Sequence, residues 1–169
     1  LRSSMTKLVA PLGANIIGVN KRGRMVEGCS KVITIDKINS VLPDADFLYL
    51  ALPETPETKN LINRKRLDML KPTCGIVNIG RQSAMDYDAL CEKLSNNEIA
   101  GAILDVFTHE PIEKNSKLWN IPNLVITPHV SSDDNGNYVK LTLDIFIKNL
   151  KLFIENKELS NQVDKKLGY

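Results

Sequence analysis

The sequence predicts an α/β protein built on a doubly wound parallel sheet. Short β-branched or apolar runs recur as far as residue 126, and segments with helical spacing alternate with them. Two of the runs, FLYLAL and GAILDVF, are apolar on both faces. Strands of that kind belong to parallel sheets that helices cover on each side, and β-α alternation is how such sheets are connected.

In chain order, helical spacing over 5–12 leads into strands over 15–19, 31–35 and 47–52. A helix over 64–70 follows, with Asn63 as its N-cap, and then a strand over 75–79. A second capped helix covers 87–94 after Asp86, and the last strands cover 100–106 and 124–126. Asn and Asp suit the caps because a short side-chain oxygen can accept a backbone N–H of the first turn. From 133 to 155 no strand pattern appears. Val139, Leu143, Phe146, Ile147, Leu150 and Ile154 form one helical stripe there, and Tyr138, Leu141, Ile145 and Leu152 lie on another side. A helix apolar on more than one side wants its own sheet as one partner and a second domain or subunit as another. The last residues, NQVDKKLGY, read as a terminal extension.

The bulk properties narrow the function. With 169 residues, 43% hydrophobic and 25% charged, the chain has the size and composition of one globular domain. Its net charge of +2 is small and its charges alternate in sign, so no footprint for nucleic acid or an anionic membrane is visible. No apolar run approaches the ~20 residues of a spanning helix, and LRSSMTKLVAPLG lacks the long uninterrupted apolar segment expected of a secretory signal. Cys29, Cys74 and Cys91 are odd in number and widely spaced, which suits reduced thiols better than a disulfide framework or a metal site. The expectation is a cytoplasmic protein with a small-molecule partner and no metal.

Four polar residues follow predicted strands, where a doubly wound sheet holds its ligands. Arg81 follows GIVNIG, Asp105 ends AGAILD, Glu110 lies in DVFTHEP, and His129 follows LVITP. Any one of them alone is an ordinary surface or loop residue. Together they suit the reduction of a 2-oxo acid, which needs a cation for the carboxylate, a proton donor for the developing alkoxide and a fixed hydride source. The planar fork of Arg81 suits the first role. His129 suits the second, because imidazole titrates near neutral pH and a carboxylate such as Glu110 beside it favours the charged ring. Asp105 either accepts a hydrogen bond from a nicotinamide carboxamide or helps to order the site.

Four ordered blocks, ADFLYLALPETPETKNLIN, MLKPTCGIVNIGRQSAMD, AGAILDVFTHEP and NLVITPHVSS, resemble the D-isomer-specific 2-hydroxyacid dehydrogenases. That family includes phosphoglycerate dehydrogenase and hydroxypyruvate or glyoxylate reductases. The resemblance implies a Rossmann-like domain over 1–132, and a helix and tail over 133–169 that return to a substrate domain. By position it gives Arg81 to the substrate carboxylate, His129 to general acid or base work and Glu110 to tuning His129. It places Leu52, Pro53, Thr58, Asn78, Ile79, Gly80, Asp105 and Ser131 at the cofactor. The family's first strand and glycine-rich turn, which should precede the helix over 5–12, are not found in this sequence. The 169 residues alone are therefore not expected to turn over substrate.

The second strand of the family's sheet bears on the cofactor. Where an acidic residue marks NAD, this chain has Asn20, Lys21 and Arg22, which favour NADP, although a solvated basic loop explains the same residues nearly as well. The cofactor is thus NADP or NAD, and the resemblance implies a homodimer for the intact protein. Two other functions stay open at this point: a dinucleotide-sensing protein like the C-terminal-binding-protein co-repressors, and an inactive fragment of the family.

Overall fold

A computed structural model of the chain describes residues 2–132 and 136–164. The first helix, α1 (Arg2–Val9), runs into a 3-10 turn over Ala10–Leu12, and Gly13 ends it in the left-handed conformation at φ 84°. There follow β1 (Ile17–Asn20), β2 (Lys31–Thr34), β3 (Phe47–Leu50), α2 (Arg64–Leu67), β4 (Gly75–Asn78), α3 (Tyr87–Ser95), β5 (Gly101–Leu104), β6 (Leu124–Ile126) and α4 (Tyr138–Ile154). Both expected caps form: Asn63 accepts from the Arg66 N–H and Asp86 from the Ala89 N–H. The predicted strands are present. Most are shorter at one or both ends, because the chain leaves the ladder where it begins to build loops.

All strand pairs are parallel. They form a two-stranded sheet, β1-β2, and a four-stranded sheet in the order β3-β4-β5-β6. In the doubly wound order 3-2-1-4-5-6, β2 and β1 occupy places 3 and 2, and β3, β4 and β5 occupy places 4, 5 and 6. Place 1 is filled by no strand among the described residues, so the sheet stands in two pieces. The pieces share one core, since Val19 and Ile35 pack against the same buried cluster as the strands of the larger sheet.

The core lies on one face of the four-stranded sheet. Ile76 and Leu104 point into it and meet Leu67 of α2 and Leu90 and Leu94 of α3, all essentially fully buried. Each such side chain contributes about 1.5–3 kcal/mol by leaving water. On the opposite face Phe47, Ile103 and Val125 remain exposed, so among the described residues helices cover one face of this sheet. Packing of α4 also differs from expectation. None of its residues is buried, and Val139, Phe146, Ile147 and Phe153 all face solvent, so it does not use its own sheet as a partner. Its apolar stripe reflects a need for cover that the described residues do not supply. Residues 133–135, with which the predicted helix began, lie outside the described residues.

Candidate active site

The site is organised from behind by a buried carboxylate. Asp105, just past β5, is completely inaccessible to solvent. Its Oδ1 accepts from the Thr127 hydroxyl at 2.5 Å and the Val130 N–H at 2.9 Å, and its Oδ2 accepts from the Ser131 N–H at 2.9 Å. Burial pushes the Asp105 carboxyl up, but the donors from Thr127, Ser131 and Val130 outweigh it and hold the group below the usual carboxylate range. The loop after β6 is thereby clamped to the end of β5. Of the two roles open to Asp105, the geometry fits ordering the site, because both oxygens are engaged within the chain.

His129 stands in the clamped loop with φ 57°, a left-handed conformation uncommon for a residue with a side chain. Its Nδ1 lies 2.7 Å from Glu110 Oε2, and Glu110 Oε1 accepts from the Phe107 N–H at 2.8 Å. Contact with His129, and next the Phe107 N–H, hold the Glu110 carboxyl below its ordinary value against a smaller opposing effect of burial. With Nδ1 engaged, Nε2 is the ring nitrogen left for a reacting oxygen.

Arg81 is positioned by an equally buried residue. At the end of β4, Asn78 Oδ1 accepts from the Gly80 N–H at 3.1 Å, and its Nδ2 donates to the Arg81 carbonyl and the Tyr87 hydroxyl, each at 3.1 Å. The Tyr87 hydroxyl in turn donates to the Val106 carbonyl at 2.9 Å. Burial pushes the Tyr87 hydroxyl up, so it keeps the proton this link needs. The Arg81 loop is thus tied through α3 to the segment that carries Glu110. Gly80 must be glycine, because a Cβ there would sit 2.5 Å from the Leu52 nitrogen and 2.7 Å from the Leu52 oxygen. The exposed Arg81 side chain donates to the Gly80 carbonyl at 2.8 Å.

Asn20, Lys21, Arg22, Leu52, Pro53, Thr58, Ile79, Gly80 and Arg81 line one cleft of about 670 Å³. That volume falls in the range of small-molecule sites, and the cleft opens beyond the carboxyl ends of β1, β3 and β4, at the place where the strand order reverses. Asn78, Asp105 and Ser131 do not line it. The first two are fully buried, and the Ser131 N–H donates to Asp105. Thr58 also shapes a loop, its hydroxyl donating to the Pro53 carbonyl at 2.7 Å. Asn20 accepts through Oδ1 from the Arg22 and Arg24 N–H groups at 3.1 and 3.2 Å and donates through Nδ2 to the Arg24 carbonyl at 2.8 Å. A second cleft, about 750 Å³ and beside α3, contains none of the predicted site residues.

Sequence reading missed Tyr87 and Thr127. Nothing in the sequence pairs Tyr87 with Asn78, since that contact depends on how α3 packs over β4. Among the described residues no cluster of metal-ligating side chains occurs, and no helix is long and apolar enough to cross a membrane.

Residues 3–131 match the family model described as D-isomer specific 2-hydroxyacid dehydrogenase, NAD binding domain. An uncharacterized protein in the proB 3′ region of Corynebacterium melassecola is 35% identical over 98% of this chain and 54% of its own length. Glyoxylate/hydroxypyruvate reductase B of Pectobacterium carotovorum is 44% identical over 56% of this chain and 30% of its own. The chain therefore spans about half, or less, of the length of these relatives. Among solved structures, a D-isomer specific 2-hydroxyacid dehydrogenase from Xanthobacter autotrophicus Py2, in complex with NADPH and MES, superposes with a TM-score of 0.90 at 28% identity, covering 99% of this chain and 68% of that one. The parallel sheet, the cleft at its carboxyl edge and the match over residues 3–131 together place the chain in the D-isomer specific 2-hydroxyacid dehydrogenase family, as its NAD-binding domain.

Proposed function

We propose that the intact protein interconverts a small 2-oxo acid and its D-2-hydroxy acid, with NADP or NAD as cofactor and a preference for NADP. The observation that carries this is the 2.7 Å contact of His129 with Glu110 on a loop clamped by Asp105, at the same sheet edge as Arg81. When bound, the nicotinamide cofactor supplies the hydride to C2 of the oxo acid. Arg81 holds the substrate carboxylate through its guanidinium fork. His129 gives the proton at Nε2 to the carbonyl oxygen as negative charge develops there. Glu110 stabilises the charged ring before transfer and orients it through Nδ1. Lys21 and Arg22, on the loop that Asn20 shapes, hold the adenosine end and favour a 2′-phosphate.

Turnover belongs to the longer protein and not to these 169 residues, a view supported by the unfilled place between β1 and β3 and by the relatives' greater length. The assignment includes a homodimer, with α4 and the tail returning to a substrate domain, and is supported by the apolar residues left exposed on α4. It also includes a cytoplasmic location, supported by the three free cysteines. The test is reduction of glyoxylate and hydroxypyruvate by the full-length protein, followed through oxidation of NADPH and NADH. Turnover of either acid is expected; turnover of neither, by a folded protein that binds cofactor, would remove the assignment.

A further inference from the structure

Two of the cleft's lining residues already hold each other. Lys21 Nζ, from the loop after β1, lies 2.8 Å from Glu57 Oε1, from the loop after β3. Both side chains are about half exposed, at 45% and 53%, so the pair sits at the rim and joins the two pieces of the sheet across the cleft. Among the described residues, Glu57 is the one acidic residue lining the cleft, where Lys21, Arg22, Arg24 and Arg81 supply positive charge.

Neither partner sits on a slack loop. The Asn20 side chain, bonded to the backbone of Arg22 and Arg24, fixes the turn that carries Lys21. Glu57 lies between the buried threonines Thr55 and Thr58, whose hydroxyls are 3.1 Å apart, and Thr58 is bonded to the Pro53 carbonyl. The hydrogen bond from Lys21 lowers the Glu57 carboxyl to about 2, with its own backbone N–H and Thr55 helping, so it is ionised at any working pH. An anionic group arriving near Lys21 therefore meets a negative charge already in place.

We propose that Glu57 is a specificity-determining residue that occupies Lys21 as an internal anion, so that the 2′-phosphate of a cofactor binds by displacing the Glu57 carboxylate. This rests on the assignment of the cleft to NADP or NAD, and it explains how one rim accepts both. Without a 2′-phosphate the pair stays closed and neutral. With one, the phosphate takes Lys21 and Glu57 turns to solvent, at the cost of the ion pair and of repulsion between two anions. Glu57 thus moderates the preference for NADP that the basic loop creates.

The experiment is calorimetric titration of the full-length protein with adenosine 2′,5′-bisphosphate and adenosine 5′-monophosphate, for the parent, Glu57→Gln, Lys21→Gln and the double variant. Circular dichroism checks that each is folded. Glu57→Gln is expected to raise the affinity ratio for the bisphosphate over the monophosphate about two- to fivefold, the range of a half-exposed ion pair. In the Lys21→Gln background the same change is expected to leave the ratio unchanged, because there is no cation to release. A ratio that falls on Glu57→Gln makes Glu57 a support for Lys21 and overturns the proposal. A ratio that is unmoved, or that rises equally without Lys21, overturns the exchange as well. Binding of neither nucleotide by the parent protein is a different failure: it overturns the cofactor cleft itself, and the exchange with it.

Discussion

Glu110 Oε2 lies 2.7 Å from His129 Nδ1, and the other Glu110 oxygen is held by the Phe107 N–H. A carboxylate fixed at both oxygens can hold an imidazole at one angle. Glu110→Gln keeps the shape and removes the charge. In the full-length protein, kcat/KM for 2-oxo acid reduction should then fall across the pH range, since the charge-assisted contact that orients the ring through Nδ1 is gone. The measurement is kcat/KM against pH. A profile that overlays the parent's would return Glu110 to the status of a loop charge.

Asp105 should matter more for folding than for binding. Asp105→Ala leaves the Thr127 hydroxyl and the Val130 and Ser131 N–H groups without their acceptor, at an expected cost of about 2–4 kcal/mol. Urea unfolding of the 169-residue chain measures it. A loss under about 0.5 kcal/mol, the range of a neutral surface substitution, would show that the loop is held by other means.

The same carboxylates set an acid limit. Asp105 and Glu110 are both held below their ordinary values in the folded chain. Their contribution is therefore complete above the unfolded carboxylate range near ~4 and is lost as pH falls through the lowered folded values. Unfolding free energy should decline on acidification below that range, and Asp105→Asn should flatten the decline. An unchanged slope would contradict the clamp.

Gly80→Ala places a methyl group on the Leu52 backbone, which cannot move aside as a flexible side chain could. The expected result is a stability loss of about 1–3 kcal/mol by overpacking, together with weaker nucleotide binding, because Leu52 and Gly80 both line the cleft. Thermal unfolding and calorimetry read the two effects, and a variant unchanged in both would contradict the close approach.

Strands and caps were legible because they depend on local pattern. GIVN and GAIL are strands whose alternate residues are buried, and Asn63 and Asp86 announce the helices they begin. Arg81, Glu110 and His129 were legible as strand-end residues, which topology alone brings to one edge. Two features were not. Lys21 and Glu57 are 36 residues apart and meet only because the two sheets are set side by side. Tyr87 reads as a buried helix residue, and its bond to Asn78 follows from packing. The exposed stripe of α4 shows the opposite limit, since its pattern registers a need for apolar cover and says nothing of what provides it.

The central claim is that His129 delivers the proton. The most direct test is single-turnover reduction of a 2-oxo acid by the full-length protein and its His129→Ala variant, with NADPH affinity measured alongside. The account predicts a rate lower by ~10²- to 10⁴-fold, with NADPH affinity little changed, because His129 does not line the cofactor cleft. A variant that keeps the parent's rate, at any pH, would contradict it.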